Sequence, residues 1–132
     1  MSVAKALFIV CMLGIFTYFG CKTIQQPNEE YDALLLNCWK NAYEEETEGD
    51  LKIYRPCDYT TFGPSRFRNT FTLHENGTSN YLVLSPYDAH YMSEGKWSYD
   101  TETKTLSLKN DNDELVDQYE VIELSANKMV LR

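Results

Sequence analysis

The sequence predicts an all-β fold, an antiparallel up-and-down barrel of about eight strands. Two observations carry this. Short runs of alternating apolar and polar residues recur at regular intervals with turn-forming residues between them, and no stretch has the periodicity of a confident long helix. Most connections look like hairpins, which favours up-and-down order, and a barrel closes the edges that an open meander would expose.

The elements follow from local chemistry. Tyr31–Asn37 reads as a short helical turn or as a lead into the first strand. Cys38–Tyr43 is that strand, with Trp39 seated in the core. Glu44-Glu45-Glu46 with Glu48-Gly49-Asp50 is an acidic run, read as a solvated turn. A cation site is the other reading, but the run lacks EF-hand spacing. Leu51–Arg55 is a strand stopped by Pro56, and Cys57–Pro64 is a loop.

The stretch Arg55–Trp97 organises the rest. Arg66–Leu73 alternates, placing Phe67, Phe71 and Leu73 on one face and Arg66 and Arg68 on the other. Asn76-Gly77 accepts the positive φ of a type I′ hairpin turn, so Ser79–Leu84 is the partner strand. A loop, Ser85–Gly95, leads to a strand at Lys96–Tyr99. Thr105–Lys109, Leu115–Leu124 and Lys128–Leu131 complete the set. Blurred alternation around Val116–Gln118 marks a bulge.

Ahead of the barrel, Ala6–Phe19 is an uncharged, mostly apolar run of fourteen residues after Lys5. That is short for a membrane span and normal for the apolar part of a secretory signal. Tyr18-Phe19-Gly20-Cys21 resembles the lipobox of bacterial lipoproteins. The resemblance implies cleavage before Cys21 and acylation of that residue with chains such as palmitate. Several chains together anchor durably where one does not. The chain then divides into a signal peptide (1–20), a lipidated cysteine and tether (21–35) and a barrel domain (36–132).

The barrel portion resembles bacterial lipocalin-like lipoproteins over roughly residues 36–131. Trp39 opens the first strand, Phe71-Thr72-Leu73 runs into Asn76-Gly77, and Gly95-Lys96-Trp97 opens a mid-chain strand. Leu106-Ser107-Leu108, Tyr119-Glu120-Val121 and Met129-Val130-Leu131 follow. The expectation is a non-catalytic, monomeric protein of the bacterial cell envelope, periplasmic or surface-exposed, that touches the membrane only through its lipid.

The formal net charge is −8. Without residues 1–20 there are eleven Lys and Arg against twenty Asp and Glu, a surface that phosphate backbones repel. Nucleic acid is therefore excluded as a partner. Cys38 and Cys57 remain as a pair, either bridged or two reduced thiols. Their spacing fits no metal site, and no cofactor motif is present.

Three of the four arginines, Arg55, Arg66 and Arg68, fall within fourteen residues. Arginine suits carboxylate or phosphate recognition, so these three are candidates for the head of a small anionic or amphipathic ligand. Pairing with the surplus acids is the other reading. Tyr81 and Trp97 are candidate wall residues. Asp88 and His90, with Glu94, invite an acid–base reading, but no nucleophile stands beside them. Asp88 pairing with Arg66 or Arg68 is the favoured structural role. The rival function is an envelope interaction or inhibitor module whose loops engage a protein, for instance a basic enzyme.

Overall fold

A computed structural model describes residues 33–47, 49–87 and 89–132. The expected signal peptide, the lipid acceptor Cys21, most of the tether and Asp88 lie outside the described residues. Eight strands follow one another: β1 (Cys38–Asn41), β2 (Lys52–Pro56), β3 (Thr70–Leu73), β4 (Thr78–Leu84), β5 (His90–Asp100), β6 (Thr105–Asn110), β7 (Leu115–Ser125) and β8 (Lys128–Leu131). All neighbours are antiparallel, and the sheet closes in the order β1-β2-β8-β7-β6-β5-β4-β3.

From β3 to β8 each strand pairs with the next, as in a meander. The front of the chain adds one rearrangement. β1 lies between β2 and β3, and β2 closes the barrel against β8, with Tyr54 opposite Met129. Since β2 and β3 both run against β1, they run in the same direction. Residues 57–69 must therefore return along the length of the barrel. They cross the outer face of β1, where the Lys40 ammonium sits 5.5 Å from the Phe62 ring. At the start of this crossover a Cys38–Cys57 disulfide joins the two strands, with Cα atoms 5.4 Å apart. The Cys57 N–H also donates to the Cys38 carbonyl at 3.0 Å.

Alternation fills the interior. Trp39, Tyr54, Phe71, Leu73, Tyr81, Leu106, Leu108, Val121, Met129 and Leu131 all point inward and are buried. Trp39, Leu106, Val121, Met129 and Leu131 have no solvent-accessible surface at all, so no space beside them admits a water. Residues 33–35 form the helical turn that the sequence allowed. Leu35 closes one end beneath Trp39, whose Nε1 donates to the Leu35 carbonyl at 3.0 Å. Trp97 helps at the same end, its Nε1 donating to the His74 carbonyl at 2.8 Å.

Two expectations are corrected. The strand predicted from Arg66 begins only at Thr70, because residues 66–69 finish the crossover and Arg68 turns to side-chain and loop partners instead of the ladder. Phe67 accordingly leaves the Phe71–Leu73 face and is exposed. The loop predicted over Ser85–Gly95 is confined to residues 85–89, since Leu84 already pairs with His90. Residues 82–84 and 90–92 pair only with each other: β3 leaves β4 after Tyr81, and β6 meets β5 only from Gly95. They form a two-stranded ribbon projecting beyond the barrel. With no core beneath one face, the ribbon carries little of the apolar alternation by which strands are recognised.

The bulge expected near Val116 is present, and a second falls at Ile122; both bend β7 around the barrel. Gly95 marks the closest approach of β5 to β6. A Cβ there would meet the Lys109 carbonyl and lie 3.0 Å from the Tyr81 ring. Gly95→Ala should therefore lower unfolding stability by about 1–3 kcal/mol, read from urea midpoints. Replacing both Cys38 and Cys57 with Ala opens a cross-link spanning 19 residues in sequence. That change should cost about 3 kcal/mol in the chain-entropy account, and an unchanged midpoint would show the crossover held by other means.

Candidate ligand site at the barrel mouth

Glu44, Glu45 and Glu46, the first part of the acidic run, do not form a solvated turn. Tyr43–Glu45 forms a single 3-10 turn, which points successive side chains about 120° apart. Each glutamate then finds its own donor. Glu44 accepts from Arg68 Nη1 at 2.6 Å and from the Gly63 N–H at 3.0 Å. Glu45 accepts from Arg55 Nη2 at 2.6 Å and Nε at 2.9 Å. Glu46 accepts from Asn41 Nδ2 at 2.7 Å and from the Ile53 N–H at 3.2 Å.

These pairs decide the fate of the arginines. Arg68 is buried outside the barrel wall, donating also to the Asn41 carbonyl at 3.0 Å and the Gly63 carbonyl at 2.6 Å. Its guanidinium lies 4.6 Å from the Tyr43 ring and 4.8 Å from the Phe62 ring. Arg55 sits over Tyr59 at 5.1 Å and donates to the Asn127 carbonyl. Arg66 is exposed and does not share a strand face with Arg68. The three arginines thus do not converge on the interior, and two of them are spent on glutamates.

Tyr81 is core, packed against Gly95, and Trp97 is part of the closed end. His90 opens β5 on the ribbon and packs on the Phe67 ring at 4.9 Å. Glu94 lies four residues further along the same strand, about 13 Å away by strand rise. The two do not meet as an acid–base pair. On the outer face, His74, Asn80 and Glu94 line a polar cleft of about 420 Å³, with His74 Nε2 2.7 Å from Asn80 Oδ1. Among the described residues, no three His, Cys, Asp or Glu side chains are grouped to hold a metal ion.

The end opposite Leu35 is built differently. Here β6 and β7 place Leu106 opposite Tyr119 and Leu108 opposite Asp117, so Tyr119 and Asp117 face inward with the core leucines. Asn69 Nδ2 donates to the Tyr54 hydroxyl at 2.8 Å. The Tyr119 hydroxyl lies near both the Tyr54 hydroxyl and the Asp117 carboxyl.

Burial pushes the Tyr54 hydroxyl far above the usual tyrosine range. Tyr119 is pushed up to about 12, by burial first and by the Asp117 charge second. Burial also raises the Asp117 carboxyl, against the lowering effect of the Tyr119 hydroxyl. Beneath these groups the rings pack on Phe71: Tyr54 is tilted against it at 5.1 Å, and Tyr119 is stacked on it at 6.4 Å.

Above this polar floor stands the ribbon. Val83 and Tyr91 are paired on its inward side, Val83 half-buried and Tyr91 exposed. Leu84, Met92 and Phe67 are exposed around it. Sequence reasoning missed Asn69, Tyr54, Tyr119 and Asp117 as a group. The one available signal was Asp117 two residues before Tyr119, hence on its face of the strand, and the bulge at Val116 hid it.

A closed eight-stranded antiparallel barrel with a filled interior and one polar mouth defines a class of small β-barrel binding domains. A family model described as a lipocalin-like domain matches residues 37–131, and the chain belongs to that family. No curated protein and no solved structure matches the chain.

The pH response follows from these contacts. The Arg68 hydrogen bond, with that of the Gly63 N–H, holds the Glu44 carboxyl at about 2 against an ordinary 4.5. Stability from this pair is fully present above pH 4.5 and is lost as pH falls toward 2. Glu44→Gln should flatten that acid limb in urea-unfolding midpoints. For Tyr119 the sign reverses: its contribution is present below pH 10 and is lost as pH rises to about 12. Ultraviolet titration should show Tyr119 ionising after the exposed tyrosines, and Tyr119→Phe should remove that late step.

Proposed function

We propose that this protein is a non-catalytic binding protein of the bacterial cell envelope, anchored by a lipid on Cys21, that takes a small amphipathic molecule at the barrel mouth. The observation that carries the reading is the mouth itself. An apolar ribbon face of half-buried Val83 and exposed Tyr91 stands over a floor of Tyr119 and Asp117, while the barrel below is filled. The ligand's apolar part would lie on the ribbon and its polar end would reach the floor. Lipocalin-like barrels suit small-ligand binding in general, and here the ligand is held at the rim instead of deep inside.

The anchor fits this arrangement. The chain enters the barrel at the plugged end through residues 33–35, so a lipid on Cys21 would leave the mouth turned away from the membrane. The anionic head sought from Arg55, Arg66 and Arg68 has no support at the mouth, since two of them are held by glutamates outside the wall.

A second reading rests on a separate observation. Tyr87, at the ribbon tip, is 90 % exposed, and both outer edges of the ribbon lack strand partners. That combination suits a protein partner that adds a strand.

The test is native mass spectrometry of freshly purified protein, followed by backbone NMR with any molecule that co-purifies. Shifts at Val83, Tyr91 and Tyr119, absent from Val83→Asp, are the expected outcome. Shifts confined to the His74–Glu94 outer cleft would overturn the mouth site. An unmodified Cys21 in membrane-fraction protein would end the anchor.

A further inference from the structure

A second cavity, of about 260 Å³, lies on the outer face of the barrel where the crossover passes β1. Its walls are the Phe62 and Phe67 rings, and its charged lining is Lys40 and Arg68. The His90 ring packs on Phe67 at 4.9 Å and holds that wall in place. Both cations border one ring: Lys40 Nζ lies 5.5 Å from the Phe62 centroid and the Arg68 guanidinium 4.8 Å. Arg68 is paired with Glu44, but among the described residues no carboxylate pairs with Lys40. The strand register shows why. Lys40 points outward from β1 between Arg55 and Thr70, a second cation and a neutral hydroxyl. Glu44 and Glu45, in the turn that follows, have both oxygens taken. Arg68 and the Gly63 N–H hold Glu44, and two Arg55 nitrogens hold Glu45. Lys40 is half-buried, so its ammonium is partly desolvated, and folded chains normally pair such charges. Arg68 also has protons to spare. It donates from Nη1 to Asn41 and Glu44 and from Nη2 to Gly63. Its Nε and its second Nη2 proton meet no acceptor among the described residues.

We propose that this crossover cavity binds a small carboxylate that carries a short aromatic or apolar body. The site is separate from the mouth and does not depend on it. The carboxylate oxygens would accept from the Lys40 ammonium and from the spare Arg68 protons, bonds that are charged on both sides. The body would lie against the Phe62 and Phe67 rings, which already wall the space. One positive charge is uncompensated there, because Glu44 neutralises Arg68. A single carboxylate matches it, whereas a phosphate dianion would bring surplus negative charge to an acidic protein. The formal net charge of −8 does not cancel the site. No carboxylate among the described residues lines the cavity, and exposed charges beyond about 8 Å are screened at physiological salt. Size limits the ligand too, since pockets for drug-sized molecules begin at about 300 Å³.

The experiment titrates the full chain at neutral pH with benzoate, benzyl alcohol and benzylammonium, three probes that share one ring. Backbone NMR signals of Lys40, Gly63 and Phe67 report the cavity, and those of Val83, Tyr91 and Tyr119 report the mouth. Benzoate should bind at the cavity about tenfold more tightly than benzyl alcohol, the excess of a charged over a neutral hydrogen bond, with benzylammonium weakest. Lys40→Gln should remove most of that excess and leave benzyl alcohol unchanged, which also shows that the variant keeps the cavity. Benzyl alcohol or benzylammonium binding as tightly as benzoate would overturn the proposal. A benzoate preference that survives in Lys40→Gln would overturn it as well. Benzoate shifts confined to the mouth signals would sink the cavity while supporting the mouth. Cavity signals that none of the three probes moves would also sink it, and leave the mouth to its own test.

Discussion

The Arg68 guanidinium donates to the carbonyl that ends β1, to the carboxylate of Glu44 and to the Gly63 carbonyl in the crossover, with the Tyr43 and Phe62 rings over its faces. Two segments distant in sequence, 41–44 and 62–68, meet at one planar cation. Only arginine offers five donors in a fixed fork, and lysine in this place could not reach the same acceptors together. The contact is what allows β1 to sit between β2 and β3. That strand order forces a crossover over the barrel's outer face, and a crossover fastened only at its disulfide end would leave β3 badly placed against β1.

The two ends of the barrel then acquire different characters. At one, Leu35 accepts the buried Trp39 indole N–H, and the Trp97 indole donates to the His74 carbonyl. At the other, the layer above Phe71 is polar: two tyrosines pack their rings on Phe71, and the Tyr54 hydroxyl accepts from Asn69. Tyrosine suits such a boundary because one side chain is apolar along its body and polar at its tip. The same two rings therefore finish the core and begin the site.

Much of the barrel was legible because burial on one face imposes a period of two. Trp39, Phe71 and Leu73, Leu106 and Leu108, and Met129 and Leu131 all announced inward positions, and Asn76-Gly77 announced its turn. The ribbon was not legible, since His90–Met92 runs beyond the barrel wall that enforces the pattern elsewhere. The arginines misled for a related reason. Arg66 and Arg68 look like alternate residues of a strand, yet pairing between Arg68 and Glu44 is a contact across 24 residues that no local pattern records. The mouth was hidden twice, by the bulge at Val116 and because its four members come from three distant parts of the chain. What the disulfide needed was the strand order: with β1 beside β2, Cys38 and Cys57 become neighbours.

Strand order has one more consequence, and it concerns time. β2 finds its second neighbour in β8, so Tyr54 waits for Met129 while every strand between them is made. A chain delivered front first, whether from a ribosome or through a translocation channel, holds an open sheet with a bare edge until its last strand arrives. Closing so distant a pair is entropically slow. During that interval β2 is the place where a chaperone would bind or where two unfinished molecules would stick together.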